Sequence, residues 1–148
     1  MHTILSHSVA ETEAAAAAVA ASLRGGETIA LSGDLGAGKT QFVRGLVVGL
    51  GGNPRAVSSP TFVLLNVYDT PPIRLPVFHL DAYRVAGGDD FEAIGFGELL
   101  TQGGVVVVEW PQRVEALLPA ARINVTLEAV AETTRKITIA TSSSLPGI

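Results

Sequence analysis

The sequence contains no cysteine, which excludes a disulfide framework and a thiolate zinc site. It is short of positive charge: 10 lysines and arginines face 14 acidic residues, for a net charge of −4. A large electrostatic grip on nucleic acid needs many basic side chains, so this chain alone does not have one. That leaves open a nucleic-acid pathway in which a partner holds the RNA. The only lysines are Lys39 and Lys136, and the arginines are spread singly, so no arginine-bearing lid of the small-molecule kinase kind is visible. No Asn-Lys-x-Asp stretch is present to read guanine. The N-terminus has no basic segment, and the alanine-rich stretch at 14–21 is too short to span a bilayer. The expected location is therefore the cytoplasm, with no membrane contact. What the chain does have is apolar content, 47% of 148 residues, enough for one packed core and one domain over residues 1–148.

Against that background one segment stands out. Residues 33–40 read GDLGAGKT, a full match to G-x-x-x-x-G-K-[ST]. Glycines let the backbone turn so that successive N–H groups point at phosphate oxygens. Lys39 adds a mobile positive charge for the outer phosphates, and Thr40 offers a hydroxyl to Mg²⁺. The loop must follow a strand and open a helix whose N-terminus favours an anion. The context complies: ETIALS at 27–32 suits a buried parallel strand, and 39–50 places Phe42, Leu46 and Gly49/Leu50 at helical spacing before Gly51-Gly52.

The remaining pattern is coarser. A short strand is expected at 3–6, and a helix at 8–23 with Ser8 as N-cap, Glu11 at capping-box spacing and Gly25-Gly26 at its end. Residues 53–61 read as a proline-bearing loop, 62–68 as a strand, 70–76 as a turn and 77–80 as a strand running into Asp81. Residues 87–102 hold one or two short helices broken by Gly95 and Gly97. Four valines at 105–108 predict a strand buried on both faces. Segments 123–127 and 136–140 predict a terminal pair of alternating strands, with 142–148 a frayed tail. Strands alternating with helices, then strand pairs, predict an α/β sandwich around a mixed sheet.

Hydrolysis or transfer needs an acidic residue for the metal or the attacking water, at the end of a buried strand near the loop. Glu109 follows the valine run and Asp81 follows 77–80 in that way; a solvated strand end or an ion pair is the plainer role for each. In HLDAYR (79–84), strand alternation puts His79, Asp81 and Tyr83 on one face. His79 either orients the site or is a hydrogen-bonded structural histidine, and Arg84 either meets phosphate or a carboxylate or forms a structural salt bridge. Ser58-Ser59-Pro60-Thr61 is either a plain Ser/Pro turn or, lying where a switch loop would follow the phosphate-loop helix, a source of a hydroxyl that can complete a Mg²⁺ shell. Trp110, the single tryptophan, is either core packing or a lip of the nucleotide site, and Pro111 after it is expected to force the chain out of regular structure.

Taken together, GDLGAGKT at 33–40, SPTF at 59–62, HLDAYR at 79–84 and VEWP at 108–111 resemble the motifs of the TsaE family, P-loop ATPases of bacterial tRNA threonylcarbamoyladenosine biosynthesis. The resemblance implies a P-loop NTPase-like three-layer sandwich with a mixed, mainly parallel central sheet. It implies hydrolysis of Mg-ATP, slow alone, with TsaD-like and TsaB-like proteins as partners and tRNA met only through their complex. Nucleotide would be held by Gly33, Asp34, Leu35, Gly36, Ala37, Gly38, Lys39, Thr40 and Gln41, with Trp110 beside it and Thr12 and Arg135 flanking adenine. Thr40, Thr61, Asp81 and Glu109 would serve the metal, and Asp81, Glu109 and Lys39 the chemistry. Gln41 departs from the family pattern, which has a second threonine in many members.

Overall fold

The least alternating apolar runs of the sequence become the innermost strands. The computed structural model describes residues 1–58, 64–83, 85 and 88–141. Along them run β1 (His2–Ser6), α1 (Val9–Ala20), β2 (Thr28–Gly33), α2 (Lys39–Gly49), β3 (Leu65–Tyr68), β4 (Val77–Asp81), α3 (Gly88–Ala93), α4 (Phe96–Leu99), β5 (Val105–Glu109), β6 (Ile123–Ala129) and β7 (Arg135–Thr141), with 3₁₀ turns at Pro54–Ala56 and Pro111–Leu117. Seven strands make one sheet in the order β1-β7-β6-β2-β5-β4-β3. Strands β6, β2, β5 and β4 are parallel neighbours, while β3 pairs antiparallel with β4, and β7 antiparallel with both β6 and β1. The sheet is thus mixed, and five of its strands share one direction.

Both faces of the central strands are covered, which is why they carry no polar alternation. Val105 and Val107 join Ile29, Leu31 and Val125 in a core under α1 and α2. Val106 and Val108 join Ala30, Phe78 and Leu80 in a second core under Phe91, Phe96 and Leu99 of α3 and α4. Helices, sheet and helices form the expected three layers.

Small residues set the spacing of α1 and α2. A Cβ on Gly45 would stand 2.3 Å from the Glu13 carbonyl oxygen, and one on Gly49 would stand 2.7 Å from the Ala20 Cβ. The alanines of α1 therefore meet glycines of α2 at backbone contact distance. Ser8 caps α1 by accepting from the Glu11 N–H at 3.1 Å, and the Glu11 carboxylate accepts from the His7 N–H at 2.9 Å. The helix ends at Ala20, short of the expected residue 23, because its last turn tightens to Ser22 N–H→Val19 O and Leu23 N–H→Ala20 O bonds. The Arg74 guanidinium donates to the carbonyls of Ala20 and Leu23 at 3.0 and 2.9 Å.

Three other expectations are corrected. Strand β3 begins at Leu65 within the described residues; Phe62 and Val63, like 142–148, lie outside them. Gly95 does break the α3–α4 segment, at φ 81°, but Gly97 sits inside α4 with nothing within 4 Å of an added Cβ. Pro111 opens a 3₁₀ turn instead of ending regular structure, since proline's missing N–H costs nothing at a first helical position.

Candidate functional site

The phosphate-loop sequence connects β2 to α2 and places its charged residues at the carboxyl edge of the parallel strands. Gly36 at φ 80° and Gly38 at φ 107° occupy the left-handed region that side chains disfavour, which lets the loop fold back onto the helix start. Gly38 is the N-cap of α2 and brings no side chain to cap that helix. Its first-turn amides and the positive end of its dipole are therefore directed at the cleft. Ala37, 2% exposed, anchors the loop in the core, and its N–H donates to the Asp34 carbonyl at 3.0 Å.

Lys39 is the first residue of α2 and is only 6% exposed. Its Nζ donates to the Gly33 carbonyl at 2.7 Å, lies 3.9 Å from Glu109 Oε1, and stands 3.9 Å from the centroid of the Trp110 ring. Burial pulls its pKa below the usual lysine value, against the attraction of Glu109, Asp81 and Asp34.

The two carboxylates come from neighbouring strands in register: Asp81 ends β4 opposite Glu109, which ends β5. Glu109 is 4% exposed, and its Oε2 lies 2.5 Å from Nε2 of the fully buried His79. Asp81 is more open, and its Oδ1 accepts from the Tyr83 N–H at 2.8 Å. Burial raises the Asp81 pKa, opposed by that N–H bond and helped by the Glu109 charge. Trp110 follows at φ 55° and ψ 50°, a left-handed conformation that is strained for a bulky residue. The bend aims its ring at Lys39 and at Tyr83, whose ring centroid is 4.9 Å away.

These groups line one cleft of about 410 Å³, formed by Leu35, Gly36, Gly38, Lys39, Thr40, Gln41, Asp81, Tyr83, Glu109 and Trp110. A second pocket of about 300 Å³ shares Gly36, Gly38 and Gln41 with it and adds His7, Ser8, Val9, Thr12, Glu132, Thr133 and Arg135. The two are adjoining halves of one groove over the loop, one polar and acidic, the other between the start of α1 and the β6–β7 turn. Arg135 ties that turn to the loop: its guanidinium donates to the carbonyls of Ala131 and Glu132 at 3.0 and 3.2 Å and to Gly36 at 3.3 Å.

With this geometry in place, the family is identified by comparison. Residues 6–137 match the family model described as Threonylcarbamoyl adenosine biosynthesis protein TsaE. The chain belongs to the TsaE family. It is similar to the tRNA threonylcarbamoyladenosine biosynthesis protein TsaE of Treponema pallidum, 43% identical over 118 residues, which span 80% of this chain and 84% of that one. The protein of the same name from Bacillus subtilis is 39% identical over 128 residues, 86% of this chain and 78% of that one. The crystal structure of Bacillus subtilis YdiB superposes with a TM-score of 0.77 at 31% identity, covering 96% of this chain and 86% of that one. The family's part is in tRNA threonylcarbamoyladenosine biosynthesis. Among the described residues no helix is long and apolar enough to cross a membrane.

In this TsaE-family chain Leu35, Gly36, Gly38, Lys39, Thr40, Gln41, Asp81, Glu109 and Trp110 meet in the first cleft, and Thr12 and Arg135 in the second. Gly33, Asp34 and Ala37 act through backbone, as acceptors for Lys39 and for the loop and as its anchor. Thr61 and Arg84 lie outside the described residues. Sequence reading did not assign Tyr83, His7, Glu132 or Thr133 to the groove. Tyr83 was recoverable from its place two residues after Asp81; the others depend on how the terminal hairpin folds over α1, which no local pattern encodes.

Among the described residues no group of three or more His, Cys, Asp or Glu side chains is arranged to hold a metal. The cleft instead offers the Thr40 hydroxyl with the Asp81 and Glu109 carboxylates. That all-oxygen set, too small for a protein cage, fits a hard cation such as Mg²⁺, which keeps most of its positions for water and substrate phosphates.

Proposed function

We propose that this chain binds Mg-ATP over residues 33–40 and hydrolyses it, slowly alone, in support of tRNA threonylcarbamoyladenosine formation in the cytoplasm. TsaD-like and TsaB-like proteins are the proposed partners, with tRNA met only through their complex. The observation that carries the reading is the single cleft in which a glycine-capped helix N-terminus, Lys39 and Thr40 face two strand-end carboxylates. The net charge of −4 supports contact with proteins over direct contact with tRNA.

In this reading the loop amides and the Lys39 ammonium bind the outer phosphates, and Thr40 and Asp81 hold Mg²⁺. Bound there, Mg²⁺ neutralises charge that builds on the phosphate oxygens. Glu109 orients the attacking water, and Trp110 closes the cleft over Lys39. The adjoining pocket at Thr12 and Arg135 takes adenine. The absence of an Asn-Lys-x-Asp stretch supports ATP over GTP.

Hydrolysis of ATP and GTP, measured with and without the two partner proteins, tests the proposal. Faster ATP turnover with partners is expected. A preference for GTP, or no hydrolysis under either condition, would overturn it.

A further inference from the structure

On the sheet face that carries α2, a line of polar side chains crosses adjacent strands. Tyr68 on β3 pairs with Val77, and His79 sits two residues further along β4; His79 pairs with Val107, and Glu109 sits two further along β5. The three are therefore diagonal neighbours on one face. The Tyr68 hydroxyl is 3.1 Å from His79 Nδ1, and the opposite ring nitrogen meets Glu109 as described. The line begins at the Ser58 carbonyl, 3.5 Å from the Tyr68 hydroxyl, and ends at Lys39.

A buried imidazole is costly unless both nitrogens are bonded, and here both are. Burial raises the Tyr68 pKa, so its hydroxyl stays protonated and can donate to Nδ1. The Glu109 carboxylate can only accept, so Nε2–H faces it and Nδ1 is left to accept the single Tyr68 hydroxyl proton at 3.1 Å, in preference to the Ser58 carbonyl at 3.5 Å. Glu109 has three side-chain torsions to settle. With Oε2 tied to His79, Oε1 is the oxygen left toward Lys39 and the cleft.

We propose that Tyr68 and His79 are positioning residues that hold Glu109 with one oxygen turned to the cleft, setting the rate of hydrolysis and not nucleotide affinity. The inference rests on the hydrolase reading above. The test combines steady-state Mg-ATP hydrolysis, with partners present, and calorimetric nucleotide affinity for the full chain and three variants. His79→Leu has no donor and is expected to lose about 10- to 100-fold in kcat, with nucleotide Kd within about twofold of wild type. His79→Gln keeps a donor near the Nε2 position and is expected to recover most of that loss. Tyr68→Phe keeps the ring and removes only the hydroxyl; about a fivefold fall in kcat is expected.

Wild-type kcat in both His79→Leu and Tyr68→Phe would overturn the proposal. So would a loss that falls on Kd, or one equal in His79→Leu and His79→Gln. If His79→Leu does not fold, Tyr68→Phe and His79→Gln decide: unchanged kcat in the first, or loss of nucleotide affinity in either, overturns it. A wild-type chain inactive even with partners would refute the hydrolase reading and this proposal with it. Active wild type with unaffected variants would refute positioning alone.

Discussion

Lys39 bonds to β2 through Gly33 O, faces β5 through Glu109 and lies against the Trp110 ring. Removing it takes away the one ammonium in the cleft, so Lys39→Ala is expected to weaken Mg-ATP binding by about 10- to 100-fold, the worth of a charge-assisted hydrogen bond. Calorimetric titration measures this, and an unchanged Kd would count against the site. Asp81 leads to a different expectation. Its pKa is raised above the usual 3.8, so the folded state prefers the neutral acid and the charge present at neutral pH costs stability. That cost is relieved as pH falls through the raised value, because the folded state then binds the proton more tightly than the unfolded chain. Asp81→Asn keeps an acceptor for the Tyr83 N–H and removes the charge. It should melt no lower than wild type at neutral pH, with an advantage that shrinks on acidification, while hydrolysis falls at least about tenfold. A lower melting temperature in Asp81→Asn at neutral pH would contradict the sign. That Lys39 and the two carboxylates meet in one cleft was legible in the sequence because each follows directly on a strand or a glycine turn. Tyr68 was not, because its partner His79 lies on another strand and only the register makes them neighbours.

Elements pack here by closeness as much as by apolar area. In α2 the glycines at 45 and 49 let α1 approach to backbone contact. Gly45→Ala should therefore destabilise the fold by about 1–3 kcal/mol through overpacking, even though alanine is the better helix former by about 1 kcal/mol. In α4, where an added Cβ at Gly97 meets nothing within 4 Å, the same substitution should stabilise by about 0.4–1 kcal/mol. Thermal melts of the two variants should move in opposite directions, and a rise for Gly45→Ala would mean the helices have room to separate. The phosphate-loop unit, the valine strand and the final strand pair were readable because their patterns are periodic or uninterrupted. The 3₁₀ turn at Pro111–Leu117 was not, because a proline read alone marks a break, and its use as a helix start depends on the left-handed Trp110 before it.

At the scale of the molecule, the proposed partner dependence predicts linkage between nucleotide and partner. A partner that prefers the ATP-loaded form must, by linkage, tighten ATP binding by the same factor. Pull-downs with TsaD-like and TsaB-like proteins should then be stronger with ATP than with ADP; equal capture would remove the nucleotide from the interaction. The α/β sandwich around a mixed sheet was legible from the order of the patterns, and its three layers followed from the family resemblance. The strand order was not legible, because β2 takes its two neighbours from far along the chain, β5 at Val105–Glu109 and β6 at Ile123–Ala129. That placement has a consequence in time. A ribosome adds about 5–20 residues each second, so seconds separate the appearance of residues 33–40 from that of the strands that flank β2. Until β6 has emerged, the nascent chain carries the loop's sequence without the sheet that shapes it. On the proposed reading, nucleotide binding must wait for β6, and a chain ending before Ile123 is expected to lack it.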